Sequence, residues 1–312
     1  MKLTFDEIKS VTFGWVEVKE EGGFLDFYKT IEAQREAWKR VNNDFVYDRA
    51  RKKTGIKLDF YTDSDFIAVG TDGGQTTVAV DGLFVGCFTD EKSYSVRLEA
   101  GEKRVTVYLD KHGYTKISSV ELSDGATFRA VGHDRKILFM GDSITEGWQS
   151  GYDFISFAEI VSRAFNAESV VNGCGGAYYL PEFAERTCFD PDIVIVAYGT
   201  NDYYCYDDFP TVERNARGFL ERIVALYGDK KLFVISPIWR RLRDKPKESM
   251  GDFPEYCGRL KKIYADYPVT VIDGFGLVPH DSAFFAGDDL HPNALGFYVY
   301  GENLAREISK RL

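Results

Sequence analysis

The hydrophobic pattern of this chain changes its period once, near residue 131, and that change constrains what each half can fold into. From residue 56 to 128 apolar side chains recur mainly at every second position, as in Ile56, Leu58 and Phe60, in Tyr94, Val96 and Leu98, and in Val105, Val107 and Leu109. Such alternation is the mark of half-buried strands, whose successive side chains point to opposite faces. Turn chemistry separates the runs, with Thr71-Asp72-Gly73-Gly74, Asp81-Gly82, Ala100-Gly101-Glu102-Lys103 and Lys111-His112-Gly113. Residues 1–131 therefore read as a β-sandwich of jelly-roll type. One helix interrupts it at 31–38, where good helix formers dominate.

Beyond the polar segment 132–136, short apolar runs alternate with longer amphipathic stretches, the grammar of parallel strands joined by crossover helices. Strands are expected at 137–140, 169–171, 193–198, 232–236 and 269–272. Helices are expected near 154–165, 212–226, 254–264 and 294–308. Residues 132–312 thus read as a three-layer α/β/α domain built on a five-stranded parallel sheet.

Polar clusters stand just after three of these strands and just before the last helix. The first strand stops abruptly at Gly141-Asp142-Ser143. That bend would leave the Ser143 hydroxyl at the carboxyl edge of the sheet, where open α/β sheets bind ligands; Asp142 and Ser143 are also good helix caps. The second strand ends in Asn172-Gly173-Cys174-Gly175-Gly176, whose glycines either make a plain turn or turn N–H groups into a cavity. The third runs into Gly199-Thr200-Asn201-Asp202. Turns favour Asn and Asp, yet Asn201 there also offers a side-chain donor with more reach than a backbone amide. Finally, Asp288 precedes His291 by three residues, close enough to hold the imidazole Nδ1–H and stabilise an imidazolium. Asp and His also bind metals, but the four histidines (His112, His133, His280 and His291) show no short zinc-type spacing. Neither metal nor other cofactor is expected.

In order and in residue type these blocks resemble the SGNH, or GDSL-like, hydrolase superfamily, over residues 136–312. Gly141-Asp142-Ser143-Ile144-Thr145-Glu146-Gly147 and Asp288-Asp289-Leu290-His291-Pro292-Asn293 carry the resemblance most specifically. It implies a serine esterase with Ser143 as nucleophile, His291 as general base and then acid, and Asp288 orienting His291. The oxyanion hole would comprise the Ser143 N–H, the Gly176 N–H, with Gly175 as the alternative, and the Asn201 side chain. A β-sandwich ahead of such a hydrolase resembles carbohydrate esterase family two, which implies acetylated sugars as substrates. Trp148, Tyr178, Tyr203 and Trp239 are candidate stacking partners for a sugar ring, within a wider set that includes Tyr179, Tyr204 and Tyr206. The run Trp239-Arg240-Arg241-Leu242-Arg243 would either admit an anionic group or form a solvated face. A lipase or thioesterase is the second enzymatic reading, although no insertion supplies a long acyl groove. A glycan-binding or dimerising protein with a vestigial hydrolase domain is the non-enzymatic one.

A formal net charge of -10 argues against nucleic acid as a partner, because that role needs clustered positive charge. Five cysteines without C-x-x-C spacing are expected to be reduced and mostly buried. No apolar run is long enough to span a bilayer, so no membrane partner is expected. Charges within the first nine residues oppose a secretory signal, so a cytoplasmic location is expected.

Overall fold

Alternating apolar residues need a second layer to bury their shared face, and the first half of the chain supplies one. The computed structural model describes residues 1–241 and 246–312. It divides into two units, one of residues 1–31 with 51–133 and the other of residues 32–50 with 134–312.

The first unit holds two antiparallel sheets. In one, Lys57–Thr62, Lys103–Leu109, Gln75–Val80 and Leu83–Thr89 lie side by side, and the short strands Thr12–Phe13 and Phe128–Ala130 both pair with Lys57–Thr62. The other has the order Glu17–Glu21, Phe24–Tyr28, Ile117–Leu122, Phe66–Thr71, Ser93–Arg97. The alternating residues named from sequence are its core: Ile56, Leu58, Phe60, Val105, Val107 and Leu109 are buried in one cluster with Leu25, Phe27, Val69 and Val120 of the facing sheet. The β-sandwich class holds.

The second unit is a parallel sheet with helices. Its strands are β1 (Arg135–Gly141), β2 (Ala167–Gly173), β3 (Ile193–Ala197), β4 (Lys231–Ile235) and β5 (Thr270–Ile272), in the spatial order β2-β1-β3-β4-β5. All neighbours are parallel. The chain leaves β1 for β2 on one side and then crosses to β3 on the other, so the loops after β1 and β3 diverge and open a crevice at the carboxyl edge. Register sharpens this placement: Gly141 is level with Gly173 of β2 and with Ala197 of β3, so three loops start from one line. Ile137, Phe139, Ile193, Ile195 and Phe233 bury one face of the sheet against Phe157, Val161, Phe297, Tyr300 and Leu304. The last three belong to the final helix, Ala294–Ser309.

Residues 32–50 depart from the reading that takes 1–131 as one continuous domain, because they pack with the second unit. They form not one helix but two, Glu32–Arg40 and Asp44–Ala50. Trp38 anchors the first: it is fully buried, with its ring 5.2 Å from Tyr178 and 5.6 Å from Phe183. Gln34 Nε2 adds a hydrogen bond of 3.1 Å to the Phe183 carbonyl. No disulfide joins the cysteines, and only Cys174 and Cys257 are buried, while Cys188 and Cys205 are exposed and Cys87 is intermediate. "Mostly buried" is therefore corrected: Cys87 lies on an edge strand, Cys188 in a loop and Cys205 at the end of the helix Thr200–Cys205, none of them in either core. Among the described residues no helix is long and apolar enough to cross a membrane.

Candidate active site

Gly141 ends β1 because nothing larger fits there. A Cβ on it would stand 2.1 Å from Thr145 Oγ1 and 2.7 Å from the Ala197 carbonyl oxygen. Gly173, at the end of β2, is equally confined, with a Cβ placed 2.2 Å from the Glu146 amide nitrogen. These two glycines let the one-turn helix Ser143–Glu146 lie directly on the adjoining strands. Asp142 caps that turn, accepting the Ile144 N–H at 2.9 Å. Capping and site placement are thus divided between two residues: Asp142 does the first, and Ser143 is left to reach outward.

The Ser143 hydroxyl donates to His291 Nε2 at 2.7 Å, and His291 Nδ1–H donates to Asp288 Oδ2 at 2.7 Å. The other Asp288 oxygen accepts the N–H groups of Leu290 and His291, each at 3.0 Å. Partial burial works against the Asp288 charge, but these amides and the imidazole win, holding the carboxyl below the usual carboxylate range. An ionised Asp288 keeps the His291 proton on Nδ1 and leaves Nε2 free to accept.

The loops after β2 and β3 are latched together. Asn201 Nδ2 donates to the Ala177 carbonyl at 2.8 Å, and Asp202 Oδ1 accepts the Tyr179 N–H at 3.1 Å. An amide NH2 has two hydrogens, so one Asn201 donor is fixed to Ala177 and the second remains for the cavity. Just before these anchors, Gly176 adopts φ +79°, a left-handed conformation suited to glycine. Its neighbour Gly175 donates its N–H to Glu146 Oε2 at 2.6 Å. That amide is occupied, which favours Gly176 over Gly175 as a donor to anything bound.

Two carboxyls beneath the site are taken out of water completely. Burial pushes both Asp142 and Asp202 up to about 7, against the amides of Ile144 and Tyr179, which favour their ionised forms.

Ser143, His291, Asn201, Gly175 and Gly176 face a cavity of about 170 Å³. Trp148 and Leu290 complete one wall. Of the four aromatic residues expected at the substrate, only Trp148 lines this cavity, its ring 6.4 Å from that of His291. Tyr203 is corrected to a core residue: it is 2% exposed, packs on Phe253 and Tyr256, and donates its hydroxyl to the Gly251 carbonyl. In the helix Thr200–Cys205 it lies two residues, hence about 200°, from Asn201, so both cannot face the same way. Tyr178 is spent on Trp38 and Tyr206, and Trp239 stacks on His280 at 5.0 Å and packs on Phe285. Tyr179 is buried too, its hydroxyl 2.7 Å from that of Tyr264. Of the basic run, Arg240 is buried, its guanidinium over the rings of Phe253 and Tyr204. Leu242 and Arg243 lie outside the described residues.

Phe45 and Arg49, from the helix Asp44–Ala50, form the wall that sequence reasoning missed. Their spacing of four was the available signal, since it sets two side chains on one helical face. Which unit that face would meet is not written in the local sequence. Among the described residues no cluster of three His, Cys, Asp or Glu side chains is arranged to hold a metal.

A parallel α/β/α sheet whose carboxyl edge gathers a linked serine, histidine and aspartate describes an acyl ester hydrolase. The chain belongs to the GDSL-like lipase/acylhydrolase family, whose pattern matches residues 139–298. Among solved structures it is similar to a salicylyl-acyltransferase from a tetracycline biosynthetic pathway, at TM-score 0.81 and 18% identity over 100% of this chain and 97% of that one. It is also similar to a family two carbohydrate esterase from Cellvibrio japonicus (TM-score 0.67, 16% identity, 96% of this chain and 95% of that one). Another from Clostridium thermocellum, in complex with cellohexaose, aligns at TM-score 0.64 and 18% identity over 82% of this chain and 91% of that one. At such identities these likenesses establish the fold. No curated protein matches the chain by sequence.

Proposed function

We propose that this protein is a serine esterase that removes small acyl groups, acetyl foremost, from carbohydrates. The observation that carries the proposal is the unbroken hydrogen-bond chain from Ser143 through His291 to Asp288, opening on a cavity that Asn201 and Gly176 also line. Ser143 Oγ attacks the ester carbonyl while His291 Nε2 takes its proton, and Asp288 stabilises the imidazolium. The tetrahedral oxyanion is held by the N–H groups of Ser143 and Gly176 and by the second Asn201 Nδ2 hydrogen, each worth about 3 kcal/mol of barrier. His291 returns the proton to the leaving alcohol, and water activated by the same imidazole releases the acid from the acyl-serine. The residues in these roles need no cofactor.

Cavity size supports a small acyl group. About 170 Å³ falls below the ~300–1,000 Å³ of pockets that enclose drug-sized ligands. A long acyl chain would find no room of that kind beside Ser143. Support for a sugar as the alcohol comes from Trp148, a flat apolar wall near His291, and from similarity to proteins described as carbohydrate esterases.

Labelling with a fluorophosphonate, with Ser143→Ala as control, tests the nucleophile; equal behaviour of the two proteins would sink the enzyme reading. Acetate release from acetylated mono- and oligosaccharides, set against acyl esters of increasing length, tests the substrate class. Preference for long acyl esters would replace it with a lipase or thioesterase. Transfer of the acyl group to an added alcohol in preference to water would make the protein an acyltransferase.

A further inference from the structure

Arg49 brings a full positive charge to the wall of a cavity that no carboxylate lines. Its guanidinium lies 5.1 Å from the Phe45 ring and 4.7 Å from the Trp148 ring, both within cation–π reach. Its ion pair is with Glu146 Oε1, at 3.8 Å, too far for a hydrogen bond. The other oxygen of Glu146 already accepts the Gly175 N–H. A guanidinium carries five N–H donors in a rigid fork, and among the described residues none of Arg49's donates a hydrogen bond to the protein. Its side chain is 17% exposed, so water is only part of the answer. A half-buried fork with unused donors, facing the same cavity as Ser143 and His291, is built to receive an acceptor that arrives with the ligand.

We propose that the ester taken by this site carries a carboxylate, held by the Arg49 fork, on a part of the molecule that is not cleaved. Resting on the esterase reading, the inference narrows its substrate class. The carboxylate belongs either to the alcohol, as in an acetylated sugar acid, or to the acyl group, as in a dicarboxylic half-ester. Arg240, which opens the basic run after the fourth strand, does not compete for the role, because Phe253 and Tyr204 cover it. Overall charge gives no help either: at -10 the protein repels anions at long range, so any preference must arise within the site.

Two substrate pairs separate the sources. Acetylated glucuronic acid is compared with acetylated glucuronamide, and a succinyl ester of glucose with the butyryl ester, by kcat/KM for the wild type, Arg49→Met and Arg49→Lys. The expected result is a preference of about 10- to 100-fold for the charged member of one pair in the wild type. It should collapse toward unity in Arg49→Met and be intermediate in Arg49→Lys, which keeps the charge but not the fork. The pair that responds tells which part of the ester bears the carboxylate. Only the ratio is read, so a general loss of activity in a variant does not affect the outcome.

Calorimetric binding of free glucuronate, glucuronamide and succinate to Ser143→Ala, with and without Arg49→Met, needs no turnover. Arg49-dependent binding of an acid by a protein whose wild type hydrolyses no ester would overturn the esterase reading and leave the anion site standing. A wild type without preference for either charged ester, or a preference that survives in Arg49→Met, would overturn the inference.

Discussion

Replacing Gly173 by alanine tests whether the turn bearing Ser143 is held rigidly by the strand beside it. The added methyl would lie 2.2 Å from the Glu146 amide nitrogen and 2.5 Å from the Thr145 carbonyl carbon. Both are backbone atoms of the turn, so no side-chain rotation relieves the clash. Reaching ordinary contact at 3.4 Å requires a displacement of about 1.2 Å between β2 and the helix Ser143–Glu146. Overpacking of this sort costs about 1–3 kcal/mol, equivalent to a Tm lower by about 3–10 °C for a unit of this size. The effect on rate is expected to be larger in proportion, since a misplacement of about 1 Å at a reacting group can cost about 10²-fold. The assay is steady-state hydrolysis of p-nitrophenyl acetate with burst titration of the acyl-enzyme, alongside thermal unfolding. Gly176→Ala is the comparison. There the methyl meets the Phe45 ring at 2.9 Å, and that residue is 59% exposed and can swing away. What remains is the left-handed φ, at about 1–2 kcal/mol, without movement of Ser143. Acylation by Gly173→Ala at the wild-type rate would show that the nucleophile's turn does not depend on that close approach.

Further expectations follow from the same geometry. His291→Ala should lower kcat for p-nitrophenyl acetate by at least about 10⁴-fold and Asp288→Ala by less, because the protein can still orient an imidazole but cannot replace it; equal losses would mean that the two act as an inseparable unit. Asn201→Ala should lower kcat by about 10²-fold with little change in KM, and a pure KM effect would remove Asn201 from the oxyanion hole. Asp142 makes the stability of the fold depend on pH. Its carboxyl keeps a proton to about pH 7 when folded but only to about pH 4 when unfolded, so the folded state holds the extra proton in between and stability falls as pH rises through that window. Asp142→Asn retains the cap on Ile144 and should flatten the decline in Tm from pH 5 to pH 8, although Asp202, raised to the same value, keeps its own share. An unchanged decline would show that Asp142 is not its source.

What the sequence disclosed was whatever depends on short stretches. Two-residue alternation names the sandwich core, because a strand's faces are set by its own residues; Leu58, Phe60, Val105 and Val107 are all fully buried. Glycines, Asn201 and the Asp288/His291 pair could be placed at one edge because each directly follows a strand or precedes a helix. Decisions needing a second element could not be read. The choice between Gly175 and Gly176 turns on Glu146, which lies 29 residues from the Gly175 amide it occupies. Tyr203 looked available because it stands beside Asn201 in sequence, yet helical geometry turns it inward. Residues 32–50 are the largest omission: their helical character was partly legible, but their packing partner was not.

Residues 32–50 also bear on how function is distributed along the chain. Ser143, Gly176 and Asn201 follow β1, β2 and β3, whose ends are level, so the groups proposed to act in the reaction are positioned by the register of a buried sheet. Phe45 and Arg49 come instead from a seven-residue helix in a segment inserted between strands of the other unit. Packing holds that segment too, through Trp38 on Tyr178 and Phe183, but Phe45 at its working end is mostly exposed. Truncating an exposed side chain costs little stability, whereas moving a strand end costs a great deal. Phe45 on that wall can therefore change at small cost to the fold, while the strand-end groups cannot. A site assembled in this way separates the placement of the proposed reaction from the choice of the molecule that undergoes it.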